Sequence, residues 1–134
     1  MKHRSRLHKL EIDMPLLDFR RLRMVAETER EMATFLELFF ETAKDILSEM
    51  EEAAHDGVLK QWKESAHALR GAAANIGSAS LEQLCLKAER VSWIIPDSRD
   101  IMLQLISEEI TNIRAFIIEQ HPFLLLPEIK SCRP

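Results

Sequence analysis

Apolar residues recur at helical spacing in four long stretches of this chain, and only short turn signals separate the stretches. The first long stretch begins at Thr28, which forms a Thr-x-x-Glu capping box with Glu31, and it continues to about residue 55. Asp56-Gly57 predicts the turn that follows. Its apolar positions keep the helical period throughout: Met32, Phe35, Leu36, Phe39, Ala43, Ile46, Leu47 and Met50. A stripe of this length is buried against other helices, which constrains the chain to an all-α fold.

Two further helices flank this one in the sequence. Residues 14–25 predict a short first helix whose apolar side consists of Leu16, Leu17, Phe19, Leu22 and Val25. After the turn, a helix is predicted from about Val58 to Ile76, with Gly77 closing it. Its inward positions are spaced alternately four and three residues apart: Trp62, Ala66, Leu69, Ala73 and Ile76.

The remaining two helices follow from the same kind of signal. Ser80 is predicted to cap the next helix, which ends before Pro96. Asp97 or Ser98 is predicted to start the last helix, which ends near Gln120. The inward positions of the two helices are Leu81, Leu84, Cys85, Ala88 and Val91, then Met102, Ile106, Ile110, Ile113 and Ile117.

Four long helices joined by short turns predict an antiparallel up-down-up-down four-helix bundle, with the short N-terminal helix covering one end. We expect residues 1–12 to form a basic leader, residues 13–120 the bundle, and residues 121–134 an apolar tail. The apolar run from Phe123 to Pro127 is expected to fold back on the bundle, because an exposed patch of that size is unusual on a monomer.

Composition excludes several functions. The net charge of −4 argues against a dedicated nucleic-acid-binding protein. The chain has no apolar run of about 18 residues and no signal-peptide core, so we expect a cytoplasmic protein without direct membrane insertion. Cys85 lies in an apolar stripe and is expected to be a buried, reduced thiol.

One histidine lies outside the predicted core. Successive helix residues are about 100° apart, so His67 points to the flank or solvent side when Ala66 points inward. Gly71 is notable because a glycine inside a helix costs about 1 kcal/mol relative to alanine. The small or polar residues predicted on this side, which we call the His67 face, are Lys60, Lys63, Glu64, His67, Arg70, Gly71 and Ala74.

The His67 face has a functional interpretation and an ordinary one. Lys63 and Arg70 lie four residues before and three residues after His67, so both can reach an anion placed on its ring. A neutral imidazole between cations could act as a nitrogen nucleophile toward a phosphoryl group. The alternative is an idle surface histidine, with the cations in ordinary surface pairs such as one with Glu64.

The residues of this helix match a known signature. His67-x-Leu69-Arg70-Gly71 closely resembles the His-x-Leu-Lys/Arg-Gly motif of histidine phosphotransfer (HPt) domains. The similarity covers roughly residues 11–120 and includes three further groups: Ala74-Asn75-Ile76-Gly77, the positions Leu81, Cys85 and Glu89, and the run from Phe35 to Phe39.

The resemblance implies an antiparallel four-helix bundle with an exposed, phosphorylated histidine. It implies that His67 is the phosphoacceptor, Arg70 a phosphate-side cation, and Gly71 the gap that admits a receiver domain. Family members more often have lysine at the position of Arg70. They also often have a base at the position of Glu64, which leaves Lys63 as the substitute cation.

The implied activity is phosphoryl transfer between His67 and the aspartates of receiver domains. The implied partners are a hybrid sensor kinase and response-regulator receivers, docking on Lys60, Glu64, Gly71 and Ala74. The chain has no nucleotide-binding motif, so we expect a phosphocarrier without autonomous kinase activity. We expect no cofactor of its own, with magnesium held by the receiver, and a monomeric state.

Two other classes of function remain. Glu52-x-x-His55 and Glu64-x-x-His67 match the Glu-x-x-His element of di-iron bundles. However, antiparallel packing around the turn would separate the two histidines by roughly 12 Å in height, too far to share a metal pair. The second alternative is an HPt-like interaction module that binds a regulator without phosphotransfer.

Overall fold

Residues 16–125 are described by the computed structural model of this protein. They form five α-helices and a short 3₁₀-helix, and this part of the chain contains no β-strand. The helices are α1 (Phe19–Val25), α2 (Glu29–Asp56), α3 (Leu59–Ile76), α4 (Ala79–Glu89) and α5 (Pro96–Gln120), followed by the 3₁₀-helix Pro122–Leu124. Helix α3 packs between α2 and α4, and α5 closes the bundle against α4 and α2. The predicted four-helix bundle with an additional N-terminal helix is confirmed.

The core consists of the predicted apolar stripes. On α3 all five predicted positions are fully buried, and on α5 four of five are buried while Ile110 is half-buried. Phe40 and Ala53 of α2 are also buried, which widens its stripe beyond the prediction. The prediction that Val25 belongs to the apolar side of the first helix is wrong. Val25 is 53% exposed, because α1 is only two turns long and buries Leu22 instead.

The turn between α3 and α4 is tighter than predicted. Gly77 ends α3 in the left-handed conformation, with φ of 78°, and Ser78 immediately follows in an extended conformation. Ser78 therefore caps α4, and its side chain accepts a hydrogen bond from the backbone N–H of Leu81. The prediction that Ser80 caps this helix is wrong, because Ser80 is already helical and its hydroxyl bonds Glu109 of α5.

Two other helix starts also differ from the prediction. Helix α1 begins at Phe19 rather than residue 14, because Asp18 is extended and its carboxylate accepts the backbone N–H of Arg20. Helix α5 begins at Pro96, one or two residues before the predicted start. Proline suits this first position, where its missing N–H leaves no hydrogen bond unmade. The predicted capping box of Thr28 with Glu31 is present.

The short helices close one end of the bundle. The backbone N–H of Asp18 donates to the carbonyl of Gly77 at 2.9 Å, which fastens α1 to the turn after α3. Beyond α5, Leu124 packs into the core while Phe123 is 64% exposed. The predicted leader (1–12) and residues 126–134 of the predicted tail lie outside the described residues. No helix within 16–125 is long and apolar enough to cross a membrane.

Candidate functional site

Helix α3 carries the His67 face on its solvent side, as predicted. Ala66 is fully buried, and the next residue, His67, has a side chain that is 67% exposed. Gly71 is exposed and Ala74 half-buried on the same side of the helix. An imidazole on the exposed side of a helix whose other side is buried can be reached by another protein.

Arg70 lies against the imidazole ring. Its Nη2 atom is 3.1 Å from Nδ1 of His67, a contact made possible because residues three apart are neighbours on a helix surface. No described residue forms a hydrogen bond with Nε2 of His67, so the ring presents that nitrogen to solvent. The structure thus brings together two of the predicted site residues.

Glu89, the last residue of α4, completes a cluster with this pair. Its Oε1 is 3.5 Å from Nδ1 of His67, and its Oε2 is 3.3 Å from Nε of Arg70. The Glu89 side chain is only 20% exposed, and Arg70 is 32% exposed. Oε2 of Glu89 is shielded from solvent and has no hydrogen bond of good geometry, although the Arg70 guanidinium is near. We call His67, Arg70 and Glu89 the site cluster.

Glu89 was absent from the residues that the sequence predicted for the site. One local signal could have shown that Glu89 needs a cation, although not that this cation is Arg70. A carboxylate in the last turn of a helix faces the negative end of the helix dipole, which costs about 0.3–1 kcal/mol at an exposed position. A glutamate that ends a helix therefore indicates a compensating cation, and Arg70 on the neighbouring helix provides it.

A buried hydrogen bond sets the register of α4 beside α3. The indole N–H of Trp62 donates to the carbonyl of Ala88 at 2.8 Å, which places the adjacent Glu89 beside the His67 face. One turn earlier on α4, Cys85 is fully buried. Burial, and next the charge of Glu89, raise the pKa of the Cys85 thiol to about 12, so this thiol is neutral at physiological pH. The predicted buried, reduced thiol is confirmed.

The remaining charged residues of the His67 face stay separate from the site cluster. Lys60, Lys63 and Glu64 are exposed, and none of them forms an ion pair with another residue in the described range 16–125. The ordinary interpretation named Glu64 as a partner for these cations, and neither Lys63 nor Arg70 pairs with it; Arg70 pairs instead with Glu89. Two cations remain available to an anion or an acidic partner.

Gly71 has no packing role inside the protein. A Cβ atom built at this position meets no atom within 4 Å, and the backbone is ordinary helix. By contrast, Gly77 has a positive φ, and a Cβ there would approach the carbonyl oxygen of Asp18 to 2.8 Å. The fold requires glycine at position 77 but not at position 71.

The residues of the metal alternative lie apart. His55 lies in the last turn of α2, where its Nδ1 is 3.0 Å from the carboxylate of Asp56 and its side chain is 90% exposed. His67 lies on the next helix beside Arg70, a cation that disfavours a metal ion. Within 16–125 no group of three or more histidine, cysteine, aspartate or glutamate side chains has a metal-binding arrangement.

Comparisons with known proteins agree with this geometry. The family model of the Hpt domain matches residues 34–116, more than half of the chain. The crystal structure of histidine-containing phosphotransfer protein B (HptB) from Pseudomonas aeruginosa PAO1 superimposes with a TM-score of 0.68 and 21% identity. That match covers 89% of this chain and 98% of the other, and it shows that the two share a fold. No curated protein matches the sequence. The chain belongs to the Hpt domain family and has a histidine phosphotransfer role in two-component systems.

Proposed function

We propose that His67 carries a phosphoryl group between the aspartates of two receiver domains in a phosphorelay. The observation that carries this proposal is the placement of His67. Its ring is exposed on a rigid helix, Nδ1 faces the other two members of the site cluster, and no described residue bonds Nε2. This arrangement leaves one ring nitrogen for an incoming phosphoryl group.

The chemical step is a displacement at phosphorus. The lone pair of Nε2 attacks the phosphorus of an aspartyl phosphate, a P–N bond forms, and the P–O bond to aspartate breaks. The aspartate carboxylate leaves with the electron pair. The attacking ring holds its proton on Nδ1, so the phosphorylated imidazole becomes cationic without losing a proton. Glu89, with Oε1 3.5 Å from Nδ1, is the group that stabilises this charge.

Cations beside the ring stabilise the charge of the transferred group. Arg70 already contacts the ring, and Lys63 has no ion pair with a described residue, so both can turn toward the phosphoryl oxygens. Phosphoryl transfer depends mainly on positioning and charge stabilisation, which two cations and a fixed imidazole can supply. Magnesium and the remaining catalytic groups belong to the receiver in this proposal.

The receiver docks on the exposed part of the His67 face. Gly71 leaves room for its backbone beside the ring, and Ala74 extends this low surface along α3. Lys60 and Glu64 are unpaired with described residues and can form ion pairs across the interface. A hybrid sensor kinase would supply the phosphoryl group, since we assign this chain no kinase activity. The cytoplasmic location and the monomeric state remain predictions.

Phosphotransfer from a purified, phosphorylated receiver domain tests the proposal. We expect label that is stable to base and labile to acid, as a phosphohistidine requires, and we expect His67→Gln to abolish it. His55→Gln is the matched control, because His55 is also exposed but lies outside the site cluster, and it should keep the wild-type rate. Binding of the receiver without any label transfer would instead support the interaction-module alternative.

A further inference from the structure

Two groups approach Nδ1 of His67, and they require opposite protonation states of that atom. Arginine can only donate hydrogen bonds, so the contact of Arg70 Nη2 at 3.1 Å needs an unprotonated Nδ1. A carboxylate can only accept, so a bond from Nδ1 to Oε1 of Glu89 needs a proton on Nδ1. A neutral imidazole carries a single ring proton, so it satisfies one of these groups at a time.

The contact with Arg70 is the shorter of the two. The Glu89 oxygen is 3.5 Å from Nδ1, beyond the usual hydrogen-bond range, whereas the Arg70 nitrogen lies within it. With Nδ1 accepting from Arg70, the neutral ring carries its proton on Nε2. That nitrogen then has no lone pair for attack, and the ring is in its unreactive tautomer.

The Glu89 carboxylate lacks its full set of partners in this arrangement. Its Oε2 is shielded from solvent without a hydrogen bond of good geometry, and its Oε1 is just out of reach of the ring. Oε1, the oxygen nearer the ring, accepts no hydrogen bond from a described residue, so it can accept one from the ring once Nδ1 carries a proton.

We propose that Arg70 is a positioning residue that holds His67 in the unreactive Nε2–H tautomer until an anionic phosphoryl group draws its guanidinium off the ring. Nδ1 then takes up a proton from water and uses it to donate a hydrogen bond to Glu89, while Nε2 gives its proton to water and gains a free lone pair. The exposure of the ring lets solvent carry both protons. This inference rests on the proposed function, because the phosphoryl group that displaces Arg70 is the one transferred to His67.

We call this control of the His67 tautomer by Arg70 the gate. Nitrogen-15 NMR of the histidine ring tests the gate without any phosphotransfer, at a pH where the ring is neutral. In the wild-type protein we expect the resonances of an Nε2–H imidazole. Arg70→Met keeps the length of the side chain but removes its donors, so we expect the resonance of Nδ1 to move to the protonated range. Lys63→Met is the matched control, since Lys63 is exposed and unpaired with described residues, and it should leave the tautomer unchanged.

Two further samples examine the remaining parts of the gate. In the double variant Arg70→Met, Glu89→Gln, loss of the carboxylate should return the ring toward the Nε2–H tautomer. Titration of the wild-type protein with inorganic phosphate should move the guanidinium resonance of Arg70 and increase the Nδ1–H population together. Two results would overturn the displacement step. In one, phosphate shifts the guanidinium resonance of Arg70 but leaves the His67 tautomer unchanged; in the other, phosphate changes neither signal.

A wild-type ring already in the Nδ1–H form, or the same tautomer in wild type and Arg70→Met, would overturn the proposal as a whole. These outcomes are independent of the phosphorelay. If His67 accepts no label from a receiver but the tautomer responds to Arg70→Met, the proposed function fails and the gate is real. If His67 is labelled but the tautomer is indifferent to Arg70, only the gate fails.

Discussion

Adding a side chain at Gly71 should raise the free energy of unfolding while a large one lowers the rate of phosphotransfer. The position is exposed, helical and inside α3, and an added Cβ meets no atom within 4 Å. Because nothing in the protein requires the glycine, Gly71→Ala should stabilise the fold by about 1 kcal/mol, the difference in helix propensity. For a domain of this size, that gain raises the melting temperature by roughly 4 °C.

A larger side chain at the same position should obstruct the receiver. Gly71→Leu also has good helix propensity, so the bundle should remain folded. If docking suffers as much as an overpacked protein interior does, the cost is about 1–3 kcal/mol. The second-order rate constant of transfer should then fall by roughly fivefold to 150-fold.

Urea unfolding and transfer kinetics measured on the same samples check both effects. Ala115→Leu is the matched control, because Ala115 is exposed on α5, which packs against α2 and α4, so the same added bulk should leave transfer unchanged. Gly71→Ala that unfolds more readily than wild type would show that the glycine has a role inside the fold. Folded Gly71→Leu with the wild-type transfer rate would refute the access argument.

The other predictions concern the turn, the buried thiol and the site cluster. Gly77→Ala should lower the free energy of unfolding by more than Gly57→Ala does. Both positions have positive φ, which costs alanine about 1–2 kcal/mol, but only at Gly77 would the added Cβ also meet neighbouring atoms. Equal losses in urea unfolding would contradict this. In a Cys132→Ser background, the Cys85 thiol should resist alkylation at pH 8 until the protein unfolds. Because the pKa of the Cys85 thiol is raised in the folded protein, only the unfolded thiol ionises between pH 9 and 12, and the free energy of unfolding should fall by up to about 4 kcal/mol over that range. The pH profile of Cys85→Ala should lack this loss. A profile identical to that of the wild type would refute the prediction. Glu89→Gln keeps the shape of the side chain but removes its charge, so transfer to His67 should slow by roughly tenfold or more without loss of fold, and an unchanged rate would exclude Glu89 from the step.

The helices could be predicted from the sequence because their signals are local. The capping box of Thr28 and the spacing from Trp62 to Ile76 depend only on residues within a few turns of each other. The exposure of His67 followed from the same spacing. The misplaced start of α4 shows the limit of local signals. Ser78 and Ser80 are both capable caps, and the choice depends on how Gly77 turns the chain, which is a matter of backbone geometry.

Glu89 lay beyond such reasoning for a different reason. Its position beside His67 depends on the register between α3 and α4, and that register is set by the buried bond from Trp62 to the carbonyl of Ala88. A contact between residues 26 positions apart in the sequence leaves no periodic pattern. The exposure of the His67 face could therefore be predicted, whereas the partner of Arg70 on the next helix could not.

The proposed phosphotransfer requires that Nε2 of His67 carries the phosphoryl group. Phosphorus-31 NMR of nitrogen-15 histidine-labelled protein, after transfer from a phosphorylated receiver, tests it most directly. We expect one phosphohistidine, with the phosphorus coupled to Nε2, in the wild-type protein and none in His67→Gln. Phosphorus bonded to another histidine such as His55 or His121, or a signal that survives His67→Gln, would show that His67 is not the phosphoacceptor.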